Sequence, residues 1–291
     1  MSSPASAVET GSDGKDHAGR GPVRLTRREA IAAAAARLQA ASDTARLDAE
    51  VLMAHALGLP REDMLLGRLD GDPPDAFEAL LARRLAHEPI AYITGRRAFW
   101  TIELAVGPGV LVPRPDSETL IEAAAAHFGA AGPERILDLG TGPGTLLLAA
   151  LDQWRDATGL GIDASEEALA FARRNAVPRA EFRRGDWGDG VDERFDLILC
   201  NPPYVEACAP LPAQVSRWEP AEALYAGPDG LDCYRALAPR LRALIAPDGI
   251  GCFEIGAGQG DSVRALFAAE GFTMESRNDL NGVERCLIIE A

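Results

Sequence analysis

The residues best suited to chemistry in this sequence are Asn201, Pro202, Pro203 and Tyr204, directly after the apolar run "RFDLILC". Prolines have no backbone N–H and restrict the residue before them, so two in succession end a strand in a rigid, extended turn. The Asn201 amide oxygen and the Pro202 carbonyl oxygen are therefore two hydrogen-bond acceptors in fixed positions. They are suited to hold the NH₂ of a planar amide or amine and to aim its nitrogen at an electrophilic methyl group, while Tyr204 covers the plane. An ordinary proline turn is the alternative interpretation.

A second candidate site is the glycine-rich turn in "ILDLGTGPGTLLLAAL", residues 136–151. The glycines at 140, 142 and 144 allow the backbone to approach a ligand at the N-terminus of the following helix. Their spacing is G-x-G-x-G, which differs from the G-x-G-x-x-G of dinucleotide-binding enzymes. Asp138, just before the first glycine, suits a positively charged ligand better than a pyrophosphate. A tight strand–helix connection is the alternative.

Two further loops carry residues suited to a nucleoside. Asp163 ends the strand in "GLGIDASEEAL", and it follows the first glycine by about 20 residues, the spacing of a carboxylate that binds a ribose diol. Helix capping is the alternative role for this residue, although Ser165 can cap the same helix instead. The loop "GDWGD" then offers Asp186 and Trp187 as a carboxylate and an aromatic face for an adenine. A surface turn explains that loop equally well.

All these residues follow strands in a part of the chain where strands and helices alternate. Such alternation predicts a doubly wound α/β sheet, and ligands of these sheets bind at the carboxyl edge. A helix is expected from 117 to 128, ahead of the first strand. The expected strands are 135–139, 159–163, 180–184, 195–200, 249–255, 271–276 and 284–290.

The region before this sheet predicts a small helical domain. "TRRE" (26–29) has capping-box spacing and opens an Ala-rich helix over 30–41. A second helix is expected over 44–57, stopped by Gly58 and Pro60. A third begins near residue 73 and presents its apolar residues at helical spacing. These residues are Phe77, Leu80, Leu81 and Leu85.

The spacing of apolar residues changes between the helical region and the sheet. The stretch "AFWTIELAV" (98–106) alternates between apolar and polar residues and predicts a hairpin. The expected apolar face consists of Trp100, Ile102, Leu104 and Val106.

Composition narrows the class of protein. Hydrophobic residues make up 47% of the 291 residues, typical of a globular protein, and the net charge of −15 argues against a nucleic-acid-binding protein. The longest apolar stretches are interrupted by Arg, Glu or Gln, so no membrane helix is expected. Five scattered cysteines without a CxxC pair indicate reduced thiols and a cytoplasmic location. All four histidines lie in the first half, which argues against a His/Cys metal site in the second.

The order of the motifs GTGPG, acid-ended second strand, GDWGD and NPPY resembles class I S-adenosylmethionine methyltransferases that modify a planar amino nitrogen. "NPPY" is shared with adenine and cytosine N-methyltransferases, so the finer resemblance depends on other segments. The stretch "PIAYITGRRAFWTIELAVGPGVLVPRPDSETLIE" (89–122), with the helical domain before it, resembles the PrmC/HemK family of protein-(glutamine-N5) methyltransferases. The resemblance covers about residues 25–291 and includes "EPAEALYAGPDGLDCYR" (219–235) and "GQGDSVRALF" (258–267). Pro143 within the glycine loop departs from the family pattern.

This resemblance implies a domain organisation. A seven-stranded, mostly parallel sheet would form a catalytic domain over 114–291. A linking hairpin over 89–113 would join it to a helical, substrate-recruiting domain over 23–88. Residues 1–22 are polar and rich in Gly and Ser, and are expected to be a disordered tail.

The resemblance also implies the ligands and the role of each motif. The cofactor would be S-adenosyl-L-methionine, and the methyl acceptor the glutamine of the Gly-Gly-Gln tripeptide in class-I peptide chain release factors, with no metal, membrane or direct nucleic-acid partner. Asn201, Pro202, Pro203 and Tyr204 would hold the glutamine amide, and Asn201 would also touch the cofactor. The remaining cofactor contacts would be Gly140, Thr141, Gly142, Pro143 and Gly144 on the methionine part, Asp163 on the ribose, and Asp186 and Trp187 on the adenine.

Other functions share part of this pattern. One is a glutamine methyltransferase that acts on a ribosomal protein. Only the overall sequence pattern separates it from an enzyme that acts on release factors. A DNA adenine-N6 methyltransferase is disfavoured by the acidic charge and by the lack of a Lys/Arg-rich recognition region. A cofactor-binding regulator without catalytic activity is disfavoured because Asn201 is present.

Overall fold

The computed structural model describes residue 1 and residues 25–290. Apart from its first residue, the expected disordered tail over 1–22 therefore lies outside the described residues. The described chain begins with a group of helices: α1 (Arg27–Leu38), α2 (Ala45–Leu57), α3 (Arg61–Gly67), α4 (Ala76–Leu85) and α5 (Ile90–Thr94).

Local sequence signals explain where these helices begin and end. Thr26 and Glu29 form the expected capping box at the start of α1. Gly58 ends α2 in the left-handed region, with φ of 64°, a conformation that favours glycine. The short helices α3 and α5 were not expected; each begins directly after a proline, Pro60 and Pro89 respectively, where a missing N–H costs nothing. The helices bury a small apolar core that includes Ile31, Leu52, Phe77 and Ile93.

A two-stranded hairpin follows, formed by β1 (Arg96–Phe99) and β2 (Ile102–Ala105). The hairpin was expected, and all four residues expected on its apolar face contact one core: Leu104 and Val106 are buried in it, and Trp100 and Ile102 are partly buried against it. The chain reverses at Trp100, which has a φ of 53°, so the alternation does not pass through this residue. Phe99 pairs with Ile102 instead, and Phe99, Leu104 and Val106 are the buried residues of the hairpin.

The remainder of the described chain alternates between helices and strands. A 3₁₀ turn (Pro115–Ser117) leads into α6 (Glu118–Phe128). The strands are β3 (Arg135–Leu139), β4 (Thr158–Asp163), β5 (Ala180–Arg184), β6 (Phe195–Cys200), β7 (Ile245–Glu254), β8 (Thr273–Asn278) and β9 (Glu284–Glu290). The intervening helices are α7 (Thr145–Gln153), α8 (Glu166–Asn175), α9 (Ala213–Ser216), α10 (Asp232–Leu244) and α11 (Gly260–Ala269).

The seven strands from β3 to β9 form one sheet in the order β5-β4-β3-β6-β7-β9-β8. Strands β3 to β7 are parallel, and β9 is antiparallel to both β7 and β8. All seven strands were expected from the sequence, and the doubly wound α/β fold is confirmed. From β3 the chain moves outward to β4 and β5, then returns to β6 on the other side of β3. The boundary between β3 and β6 is therefore the switch point at which ligands of such sheets bind.

Alternating residues of the central strands face two separate cores. Ile136 and Leu197 pack with α6, α7 and the hairpin on one face of the sheet. Leu137 and Ile198 pack with α10 and α11 on the other face. A sheet buried on both faces holds its strand ends rigidly, so the loops at its carboxyl edge start from fixed positions. In the described part of the chain, the longest apolar helices are too short or too polar to cross a bilayer.

Candidate active site

A cavity of about 530 Å³ opens at the carboxyl ends of β3, β4 and β6. Its walls contain most of the residues that were singled out from the sequence: Gly140, Thr141, Gly142, Pro143, Asp163, Asp186, Trp187, Asn201 and Pro203. Gly144, Pro202 and Tyr204 are not part of the lining. Four separate loops therefore meet at the switch point of the sheet.

The glycine loop after β3 requires conformations that favour glycine. Gly140, Gly142 and Gly144 have φ values of 71°, 57° and 89°. A Cβ at Gly144 would lie only 2.9 Å from Leu148 Cδ1, so a larger residue there would require the Leu148 side chain to shift, in addition to the strain of the positive φ. The N–H groups of Gly140 and Thr141 both donate to the Ile162 carbonyl at 2.9 Å, which ties the loop to the end of β4.

The Asn175 side chain, which was not singled out from the sequence, also holds this loop. Its Nδ2 donates to the carbonyl oxygens of Pro143 and Ala105 at 3.0 Å, while its Oδ1 accepts from the Ala105 N–H at 2.8 Å. The glycine loop is thus connected through α8 to strand β2 of the hairpin. Pro143, the departure from the family pattern, supplies the carbonyl for this contact.

Asp163 at the end of β4 accepts hydrogen bonds from two loops at once. The Gly142 N–H donates to Oδ2 and the Ser165 N–H donates to Oδ1, both at 2.8 Å. Ser165 is the N-cap of α8, where its hydroxyl oxygen accepts from the Ala168 N–H at 3.2 Å. Ser165 therefore caps this helix, and the half-buried Asp163 carboxylate faces the cavity. Burial raises the pKa of Asp163 despite these hydrogen bonds, which act in the opposite direction.

Asp138 is buried beneath the glycine loop with one carboxylate oxygen unused. Oδ2 accepts from the Thr141 hydroxyl at 2.7 Å and from the Leu147 N–H at 3.2 Å. Asp138 is one of the cavity-lining residues, and its buried Oδ1 has no hydrogen-bond partner among the described residues. Burial raises the pKa of Asp138 to about 7, while its hydrogen bonds act to lower it. An unpaired oxygen of this kind is costly unless a ligand supplies a donor.

The loop after β5 contributes an aromatic wall. Trp187 has a φ of 53°, and its Cζ3 lies 3.5 Å from the position that a Cβ on Gly140 would occupy. The indole ring therefore packs against the glycine loop at the edge of the cavity. Asp186 is exposed, and its backbone carbonyl accepts from Arg240 at 2.9 Å.

The turn after β6 presents two acceptors without protein partners. The Asn201 Nδ2 donates to the Ser117 Oγ at 3.0 Å. Within residues 25–290, no donor reaches the Asn201 Oδ1 or the Pro202 carbonyl oxygen. The amide of Asn201 is thus held by one end and offers its oxygen to a ligand.

Tyr204, which is expected to cover the plane of the substrate amide, is not among the residues that line the cavity. Its ring packs against the apolar core beneath α10 and α11, and its hydroxyl donates to the Glu254 Oε1 at 3.2 Å. The Gln259 side chain donates to the Tyr204 carbonyl at 3.0 Å and fixes the backbone. Burial, followed by the negative charge of Glu254, raises the pKa of the Tyr204 phenol.

The segment that begins with α9 forms another wall of the cavity. Buried Glu219 accepts from the Arg114 Nη2 at 2.6 Å and from the Val112 N–H at 3.0 Å. Arg114 and the residues following Glu219 line the cavity. Both members of this ion pair lie in segments that carry the family resemblance, 89–122 and 219–235, but their pairing is not visible in the sequence because they are 105 positions apart.

Two family profiles match separate parts of the chain. One, described as the PrmC N-terminal domain, matches residues 29–95. The other, described as a methyltransferase domain, matches residues 132–257. The second range contains the glycine loop, Asp163, Trp187 and Asn201.

Relatives and solved structures agree with these matches. A protein named release factor glutamine methyltransferase from Rhodospirillum rubrum is 44% identical over 254 residues, which are 84% of this chain and 78% of the relative. One of the same name from Caulobacter vibrioides is 39% identical over 277 residues, covering 91% of this chain and 96% of the relative. The crystal structure of a methyltransferase from Pyrococcus furiosus has a TM-score of 0.50 at 20% identity, covering 72% of this chain and 95% of that one.

The sheet order, the cavity at the switch point and the matched methyltransferase domain define a class I S-adenosylmethionine-dependent methyltransferase. The PrmC N-terminal domain and the identity to the curated relatives define the subgroup. The chain belongs to the PrmC family of release factor glutamine methyltransferases.

Proposed function

We propose that this protein transfers a methyl group from S-adenosyl-L-methionine to the side-chain amide nitrogen, N5, of the glutamine in the Gly-Gly-Gln motif of class-I peptide chain release factors. The observation that carries the proposal is a pair of acceptors at the switch point of the sheet, Asn201 Oδ1 and the Pro202 carbonyl oxygen, to which no group of residues 25–290 donates. The family membership supports the choice of acceptor, because the curated relatives carry the name of this activity.

The cavity residues fit the proposed cofactor on two counts. Asp138 Oδ1 is an acceptor without a donor among the described residues, which suits a cationic group of a ligand. The glycines of the loop have no side chains, so the space beside the loop is open to a ligand. We assign the amino group of the methionine part to Asp138, its remaining contacts to residues 140–144 and the ribose hydroxyls to Asp163. Trp187 and Asp186 are assigned to the adenine. When bound, S-adenosylmethionine supplies a methyl group made electrophilic by the adjacent sulfonium.

The chain's own residues would act on the acceptor nitrogen. An amide nitrogen is a poor nucleophile because its lone pair is delocalised into the carbonyl group. Hydrogen bonds from its NH₂ to Asn201 Oδ1 and the Pro202 carbonyl would favour electron density on nitrogen and hold the group in one orientation. Positioning of this kind supplies several kcal/mol, and fixed dipoles stabilise the positive charge that develops on nitrogen. The N-protonated amide is acidic enough to release its proton to water, so no general base is required.

The helical region is proposed to recruit the protein substrate. It contacts the segment that begins with α9 and forms one wall of the cavity, since the Arg84 Nη2 donates to Gln214 Oε1 at 2.9 Å and the Trp218 indole donates to the Ala86 carbonyl at 3.3 Å. Arg84 is buried and paired with Asp48 at 2.7 Å, which holds its guanidinium in place. A partner bound on these helices would therefore be held next to the cavity entrance. We propose 23–88 and 114–291 as the recruiting and catalytic domains, joined by the hairpin region 89–113.

The proposal predicts methylation at one atom of one residue. The purified protein is incubated with isotopically labelled S-adenosylmethionine and an intact class-I release factor. The label should appear in the tryptic peptide that contains the Gly-Gly-Gln glutamine. Mass spectrometry of the digested factor would locate the methyl group on the side-chain amide. A factor in which this glutamine is replaced by glutamate is the matched control and should remain unlabelled.

The same experiment separates the alternative substrates. Ribosomal proteins and adenine-containing DNA are included in parallel, and a short Gly-Gly-Gln peptide is compared with the intact factor. A recruiting role for the helical region predicts far weaker methylation of the peptide. Labelling of a ribosomal protein or of DNA, with none on the release factor, would contradict the proposed substrate.

The assignment of Asp138 predicts opposite effects on stability and on cofactor binding. The pKa of Asp138 is raised to about 7 in the folded protein from 3.8, so the stability that protonation provides at low pH is lost as the pH rises toward 7. Asp138→Asn should therefore increase the free energy of unfolding of the cofactor-free protein at pH 8 by about 1 kcal/mol or more, which raises the thermal midpoint by a few degrees. The gain should shrink at pH 5.

Calorimetric titration at pH 8 should show weaker binding of S-adenosylmethionine to Asp138→Asn, because the variant offers no charge to the methionine amino group. Exposed Asp192 provides the control, and Asp192→Asn should alter neither measurement. Wild-type affinity in the Asp138→Asn protein would exclude Asp138 from the cofactor site.

A further inference from the structure

A chain of hydrogen bonds leads from the proposed catalytic amide to a buried carboxylate. The Asn201 Nδ2 donates to the Ser117 Oγ at 3.0 Å, and the Ser117 hydroxyl in turn donates to the Glu254 Oε2. The other carboxylate oxygen, Oε1, accepts from the Tyr204 hydroxyl at 3.2 Å. Glu254 is only 1% exposed and Ser117 only 2%, so water does not compete for these contacts.

These three residues come from distant parts of the chain. Ser117 ends the 3₁₀ turn before α6, Asn201 follows β6, and Glu254 is the last residue of β7, the neighbour of β6 in the sheet. Ser117 is one of the cavity-lining residues, whereas Glu254 lies behind it. The network therefore connects the cavity wall to the centre of the sheet.

The direction of each hydrogen bond is set by Glu254. An ionised carboxylate only accepts hydrogen bonds, so the Ser117 hydroxyl must donate to it. The Ser117 oxygen is then left to accept, and it accepts from the NH₂ of Asn201. The amide oxygen of Asn201 consequently points away from Ser117 and is free to act as an acceptor toward the cavity.

We propose that Ser117 and Glu254 are positioning residues for methyl transfer, which orient the Asn201 amide so that its oxygen, and not its NH₂, meets the amide of the substrate. This inference rests on the proposed function and assigns to it two residues beyond the "NPPY" turn. Without the network, the Asn201 side chain can rotate and present donors to a group that is itself a donor.

Protonation of Glu254 reverses the orientation. A neutral carboxylic acid donates one hydrogen bond, and when it donates to Ser117 the Ser117 hydroxyl needs another acceptor. The available acceptor is the Asn201 oxygen, which turns away from the cavity when it accepts. Activity is therefore expected to require ionised Glu254.

The surroundings of Glu254 make this ionisation accessible near neutral pH. Burial is the main cause that raises the pKa of Glu254 to about 7, and the charge of Asp116 also raises it. Hydrogen bonds from Ser117 and Tyr204 and the positive charge of Arg285 act in the opposite direction. The other titratable groups that interact with Glu254 are Tyr234, Cys200 and Cys286.

The test compares Ser117→Ala, Ser117→Thr and Glu254→Gln in the full-length protein, with the release factor as substrate. Ser117→Ala should lower kcat by about 10- to 100-fold while the Kd for S-adenosylmethionine stays within about threefold. Ser117→Thr retains the hydroxyl and should restore kcat to within a few-fold of wild type. Ser276→Ala, at an exposed serine of β8, is the matched control and should behave as wild type.

The pH profile of kcat gives a readout that a merely structural role would not change. The kcat of the wild type should increase as the pH rises through about 7. The Glu254→Gln variant cannot ionise at this position, so its pH profile should lack this rising limb. Thermal midpoints confirm that each variant is folded. Wild-type kcat in Ser117→Ala, or an unchanged pH limb in Glu254→Gln, would overturn the inference. Lack of methylation by the wild type itself would instead refute the proposed function.

Discussion

Replacement of Asn201 by alanine is expected to nearly abolish methyl transfer while the protein still binds its cofactor. The variant loses the acceptor that would align the substrate amide, and removal of one preorganised polar group of this kind lowers kcat by about 100- to 1000-fold. Single-turnover labelling of an intact release factor measures the loss directly. Calorimetry with S-adenosylmethionine should show at most a modest decrease in affinity, since Asn201 also lines the cofactor cavity.

Two other variants sharpen this result. Asn281→Ala removes an exposed asparagine from the turn between β8 and β9, and should leave turnover unchanged. Tyr204→Phe retains the packed ring and the contact between Ser117 and Glu254, so its effect should be much milder than that of Asn201→Ala. Near wild-type turnover in Asn201→Ala would mean that "NPPY" is only a turn.

Replacement of Asp163 by alanine is expected to weaken S-adenosylmethionine binding by up to about 100-fold. The carboxylate is proposed to accept from the ribose hydroxyls, and a lost charged acceptor costs about 1–3 kcal/mol. It also holds the Gly142 N–H at 2.8 Å, so the alanine variant loosens the glycine loop as well. Both effects act in the same direction, which places the expected loss at the upper end of this range.

Isothermal titration of the folded variant measures this loss of affinity. The Asp163→Asn variant separates the effect of the lost charge from the effect of the lost hydrogen bond to Gly142. Asparagine retains one oxygen for the Gly142 N–H but carries no charge, so its affinity should lie between those of wild type and Asp163→Ala. Asp192→Ala, at an exposed loop position, is the control for removal of a carboxylate as such. Unchanged affinity in Asp163→Ala would remove this residue from the cofactor site.

Local signals in the sequence were sufficient for most of the fold. The capping box at Thr26, the glycine that ends α2 and the alternation of strands and helices depend on residues a few positions apart. Short-range sterics and hydrogen bonds produce these features, so they can be recognised without the tertiary structure. The hairpin shows the limit of such signals: alternation predicted its apolar face, but it did not show that Trp100 lies in the turn, whose position depends on the pairing of Phe99 with Ile102.

The candidate site divides in the same way. The glycine loop and the proline turn are recognisable because glycine conformation and proline stereochemistry are properties of single residues, and the order of the motifs placed them at one sheet edge. The unused oxygen of Asp138, the link from Asn175 to Pro143 and the pairing of Arg114 with Glu219 were decided only by the tertiary structure. So was the contact between Ser117 and Glu254, two residues separated by 137 positions. Neither periodicity nor local propensity records such contacts, because each of them joins segments that are distant in the sequence and meet only in the folded protein.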